Sequence, residues 1–153
     1  MAPTTLDADA DTTTDEFSSE YDCWGPMAYY APRFLDTISA GLDRLRRLEP
    51  NWDMEGAPAI DPAIIDAARR LIWKLPSDVS SIPQVVPSST GNLQLDWNEG
   101  PRSLELEIED PQTIHYLKWD SEEDIEEEDT FDINDISRVV FLIRWFMRGV
   151  THV

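Results

Sequence analysis

The sequence predicts an α+β fold: two N-terminal helices, a three- to four-stranded antiparallel meander, and a C-terminal helix packed on one sheet face. Three observations predict it. Apolar residues recur at helical spacing in two stretches before Pro76 and in a third after Asp132. Between them, apolar and polar residues alternate with the period of a strand that is buried on one side and wet on the other. Helices segregated from strands in this way build an α+β domain.

The first helix is expected over 33–48, where Phe34, Leu35, Ile38, Leu42, Leu45 and Leu48 form one apolar stripe. Arg44, Arg46 and Arg47 fall in its last turns, where the helix dipole favours cations, and Pro50 stops it. The second opens at Asp61 as N-cap with Pro62 in the first helical position. Ile64, Ile65, Ala68, Leu71, Ile72 and Leu75 make its buried face, and Pro76 ends it. The segment 83–87, PQVVP, is expected as a short edge strand, where proline is tolerated.

Leu93, Leu95 and Trp97 alternate with Gln94, Asp96 and Asn98; after a turn, Leu104, Leu106 and Ile108 alternate with Glu105, Glu107 and Glu109. Asp110–Pro111 makes the next turn, and 113–119 supplies a further strand whose inward side its residues leave open. The last helix is expected from about 133 to 149, with Asp132 as cap and Phe131 and Ile136 at the staple positions. Ile136, Val139, Val140, Ile143, Phe146 and Met147 form its broad apolar face.

Charge is distributed unevenly. The 153 residues carry a net −19; residues 1–30 hold seven acids and no base, and 120–129, DSEEDIEEED, hold eight acids in ten positions. Residues 1–20 are expected to be a disordered acidic arm, 21–32 an aromatic docking segment, and 33–150 a single domain with an acidic loop at 120–129. One cysteine, Cys23, forms no internal disulfide and fits a reducing compartment. With no signal-like start and no bilayer-length apolar run, the expected location is cytoplasmic, away from membranes.

Asn51-Trp52-Asp53-Met54-Glu55-Gly56-Ala57, followed by a proline-capped helix, resembles a group of uncharacterised bacterial proteins with an NWD-x-x-GA segment between two helices. The resemblance covers roughly 42–118, including the Leu-Pro helix end and the Val-Val-Pro strand, and implies fold and bacterial origin without an assigned reaction. By residue chemistry the motif needs no catalysis. Asn51 or Asp53 can hold a turn, Gly56 can take a conformation that other residues avoid, and Trp52 can pack between the helices.

No phosphate-binding glycine loop, nucleophile elbow or zinc spacing is present, so the sequence predicts a non-enzymatic protein without cofactor or dedicated metal site. The acidic stretch lacks the glycine and ligand spacing of a calcium loop. Direct nucleic-acid binding is excluded by repulsion. The expected role is an inhibitor or antitoxin-like partner, a nucleic-acid mimic that masks the basic surface of a nucleic-acid-binding protein. Its charged residues would be Glu105, Glu107 and Glu109 on one strand, with Asp120, Glu122, Glu123, Asp124, Glu126, Glu127, Glu128 and Asp129. Trp24, Tyr29 and Tyr30 would anchor it. An adaptor of a larger bacterial complex, docking through 21–32 and its helical face, is the alternative; a hydrolase around Asp53, Glu55 and His115 is the third reading.

Overall fold

The computed structural model describes residues 34–150. The acidic arm expected at 1–20 and the aromatic segment at 21–32, with Trp24, Tyr29 and Tyr30, lie outside the described residues. Among the described residues helix α1 covers 34–46, ending two residues before the expected 48. Helix α2 is Pro62–Trp73; strands β1 to β5 are Gln84–Pro87, Leu93–Glu99, Arg102–Asp110, Thr113–Asp120 and Ile125–Asp132; helix α3 is Ile136–Val150. The protein is α+β, and its sheet is a five-stranded antiparallel meander in the order β1-β2-β3-β4-β5.

The fifth strand corrects the sequence reading. Residues 120–129 are not a loop: Asp120 ends β4, a turn spans 121–124, and Glu126 to Asp129 belong to β5. Charge density argued for a solvated linker, but an edge strand needs only one paired side, and charged residues blunt the other against aggregation. The turn is tied by Asp120, whose Oδ1 accepts from the backbone N–H of Glu122 at 3.0 Å and of Glu123 at 3.1 Å.

Register explains the core. Leu93, Ile108, Ile114 and Phe131 form one cross-strand row, and Leu95, Leu106 and Tyr116 the next. These residues are buried against Ile38, Leu42 and Leu45 of α1, Ile64, Ile65, Ala68, Leu71 and Ile72 of α2, and Val139, Leu142, Ile143 and Phe146 of α3. All three helices thus serve one face of the sheet. The inward side of β4 is Ile114, Tyr116, Lys118 and Asp120; His115, Leu117 and Trp119 face the other way.

The caps follow local chemistry. Asp61 holds the α2 start by accepting from Ala63 N at 2.9 Å, ahead of Pro62. The α3 start differs from expectation. Asp135 accepts from Arg138 N and Ser137 Oγ, while Asp132 accepts from Asn134 N in the turn before it. Among the described residues no helix is long and apolar enough to cross a membrane.

Candidate functional site

Strand alternation sorts the acids into two sets with different surroundings. On the helix-bearing face, each acid of β4 and β5 meets a base. Arg102 Nε donates to Asp120 Oδ2 at 2.8 Å, and this carboxylate, only 2% exposed, is held below its usual range first by that bond and then by the turn N–H groups. Arg102 also donates to the Trp145 carbonyl and lies 4.5 Å over the Trp145 ring. Lys118 pairs with Glu127 at 3.2 Å and sits 5.1 Å from the same ring. Glu127 accepts from the Tyr116 hydroxyl at 2.6 Å, the first cause of its lowered pKa, with Lys118 the next.

Asp129 accepts from Thr130 N and pairs with Arg138 at 3.2 Å; both lower its pKa, in that order. Burial and the bond to Glu127 push the Tyr116 hydroxyl up. Arg138 in turn lies 5.0 Å over Phe131 and 5.6 Å over Tyr116. Asp120, Glu127 and Asp129 are therefore counter-ions to cations that cover the sheet, Arg102 and Lys118 beside Trp145 and Arg138 over Phe131 and Tyr116. Of the expected partner-binding acids these three already have a cation within the domain; Asp120 is buried with its partner, while Glu127 and Asp129 stay exposed beside theirs.

The second face is different. Reading across the register, one row is Gln84, Asp96, Glu105, Leu117 and Glu128; the next is Val86, Gln94, Glu107, His115 and Thr130; a third is Asn98, Ser103, Trp119 and Glu126. No Lys or Arg occurs in these rows. Asp96, Glu105, Glu107, Glu126, Glu128 and, at the bulge between Ile108 and Asp110, Glu109 are six carboxylates of this face, and Asp132, opposite Thr113, joins its side at the end of β5. Their contacts are neutral or weakly basic: Gln94 donates to Glu105 at 3.2 Å, Asn92 to Glu107 at 3.3 Å, and His115 Nε2 lies 3.4 Å from Glu128.

Asp96 is the most constrained of the six. Its Oδ1 is buried without a hydrogen-bond partner among the described residues, and burial, then the charge of Glu105 opposite, push its pKa up to about 6. Trp119 is 48% exposed at one end of the face, beside half-buried Leu117. Sequence reasoning missed this aromatic because it left the inward side of β4 open. The buried Ile114 and Tyr116 at alternate positions were the available signal.

Glu122, Glu123 and Asp124 sit exposed in the 121–124 turn and form no ion pair among the described residues. The NWD segment is a self-contained structural loop. Asn51 takes φ 67° and Gly56 φ 90°; Asn51 Oδ1 accepts from Gly56 N, and Asp53 Oδ1 accepts from Glu55 and Ala57 N at 2.9 Å each. The Ala57 bond is the first cause of a lowered Asp53 pKa. Trp52 donates to the Pro58 carbonyl and packs against the core.

The structure does not gather Asp53, Glu55 and His115. The acidic groups gathered around His115 are Glu107 and Glu109 instead. Concavities on α2, lined by Arg69, Arg70, Trp73 and Lys74, and on α3, lined by Ile136, Val140, Phe141 and Arg144, include none of the three. Comparison of the chain with protein-family models, curated proteins and solved structures finds no match in any of the three.

Proposed function

We propose that the protein is a non-enzymatic binding module that recognises a basic protein surface through the helix-free face of its sheet. A nucleic-acid-binding surface masked in the manner of an inhibitor or antitoxin is the favoured target. One observation carries this reading: acids of β4 and β5 facing the helices are neutralised by Arg102, Lys118 and Arg138, whereas Asp96, Glu105, Glu107, Glu109, Glu126 and Glu128 meet no Lys or Arg among the described residues. A merely solvated face would gain from mixed charges, and this one has none. Glu105 and Glu107 stand about 7 Å apart, as alternate residues of a strand do. Trp119 supplies the large, partly exposed aromatic that interfaces use as an anchor.

Asp96 adds support. A carboxylate kept half-buried without a partner beside another acid destabilises the free fold, and a cation from a partner would relieve it. The turn acids Glu122, Glu123 and Asp124 would extend the field and speed encounter.

The test is a pull-down from a bacterial lysate at low and high salt, repeated with Glu105, Glu107, Glu126 and Glu128 changed to Gln. A basic partner held at low salt by the wild type and lost by the variant supports the reading. A tight complex indifferent to both sinks it. A second reading rests on Phe141, 59% exposed on α3 beside Ile136 and Val140: an adaptor docking through that helix would keep its partner in the four-Gln variant and lose it on Phe141→Ser.

A further inference from the structure

One end of the acidic face carries a more local arrangement. Glu107, Glu109 and His115 each bring a ligand atom to within 4.8 Å of the other two. Glu107 and His115 are register partners across β3 and β4, and Glu109 joins them from the bulge that interrupts the pairing after Ile108. Bulges re-aim side chains, and here the result is three donors from two paired strands. We infer that these three residues form a binding site for a first-row divalent cation of the zinc type.

The donor chemistry sets the class. Carboxylates alone favour calcium, magnesium or manganese, whereas an imidazole added to them favours zinc and its neighbours. His115 is not held only by the two prospective ligands. Its Nε2 lies 3.4 Å from Glu128 on β5, a residue outside the triad, so a third strand contributes a carboxylate that can orient the ring or become a fourth donor. Asn92 Nδ2, at 3.3 Å from Glu107 Oε1, steadies a second ligand from yet another direction.

The fit is close. Zinc bonds to nitrogen and oxygen of about 2.0–2.2 Å set tetrahedral donors about 3.4 Å apart, so these atoms need to draw together by about 1.4 Å at most. Rotation of the glutamate side chains covers that distance, since Glu109 is exposed and Glu107 half-buried. Strand backbones hold the three Cα positions, which keeps the loss of freedom on binding small. Two carboxylates this near each other, on a face without Lys or Arg, also lose their mutual repulsion when a dication enters. The site stands independently of the macromolecular reading above, since its donors and their geometry need no partner.

The experiment uses the full chain and Zn2+ alone, with affinity measured by competition against a chromophoric chelator at neutral pH. The expected result is one tight Zn2+ per chain, weakened about 10–100-fold by His115→Gln and by Glu107→Gln, and less by Glu128→Gln. Glu122→Gln removes the same charge from the distant turn and leaves affinity within about twofold, because screening is strong beyond about 8–10 Å. On the unaltered chain, Zn2+ shifts the imidazole NMR signals of His115, which needs no variant to fold. The inference is overturned if His115 signals do not move, if Glu122→Gln weakens binding as much as Glu107→Gln, or if Ca2+ and Mg2+ bind as tightly as Zn2+.

Discussion

Asp96→Asn should make this protein more stable, and only above a defined pH. In the folded chain the Asp96 carboxyl rises from 3.8 to about 6, by burial first and by Glu105 second. The native state then binds a proton more tightly than the unfolded chain. Below about 3.8 both states are protonated, and the group contributes its full share to stability. As pH rises towards about 6 that share is lost, and above it the ionised carboxylate sits half-buried with Oδ1 unpartnered. A displacement of this size corresponds to at most about 3 kcal/mol at 1.36 kcal/mol per tenfold. The group still keeps some contact with solvent, which reduces the expected penalty to about 1–2 kcal/mol.

Asparagine keeps the shape and cannot ionise, so it removes that penalty. Urea unfolding of both proteins across pH 4 to 8 reads the difference directly. The variant should exceed the wild type by about 1–2 kcal/mol at pH 8, and the gap should close by pH 4. A gap that is the same at pH 4 and 8, or no gap at pH 8, would refute the reasoning.

Further outcomes follow from the packing. Leu106→Ala, at a fully buried position between Leu95 and Tyr116 on the central strand, should cost about 2–5 kcal/mol in urea unfolding, the lost burial plus the cavity left behind. Gly149→Ala tests two opposed effects in α3. Helix propensity favours alanine by about 1 kcal/mol, but a Cβ there meets Arg102 Nε at 2.6 Å while Asp120 and Trp145 pin that side chain, and overpacking of about 1–3 kcal/mol should win. A lower thermal midpoint is expected; a higher one would show that Arg102 moves freely. Trp119→Ala should leave the unfolding free energy from urea titration within about 0.5 kcal/mol of wild type yet weaken capture of a basic partner by about tenfold or more.

The helices and the middle strands were legible because their signals are local. Asp61–Pro62 marks a helix start in any context, and the stripe from Phe34 to Leu45 is one face of a helix wherever it packs. The alternation through Leu93–Trp97 and Leu104–Ile108 identified the buried side of β2 and β3 before any neighbour was known. The fifth strand was not legible. Glu126, Glu127, Glu128 and Asp129 have no apolar alternation, and their strand exists because β4 offers an open edge and Phe131 a buried end. The inward side of β4 was hidden too, since Lys118 and Asp120 occupy core-facing positions only because Glu127 and Arg102 neutralise them there.

The sequence alone determined the amount of negative charge, the helix stripes and the alternation of β2 and β3, all set by neighbours a few residues away. Only the tertiary structure decided which acids remain uncompensated, because that depends on which face of a strand looks at Arg102, Lys118 and Arg138, and strand pairing and helix packing settle that. It also decided that His115 keeps company with Glu107 and Glu109 rather than with Asp53 and Glu55, since strand pairing and a bulge, not distance along the chain, bring those donors together.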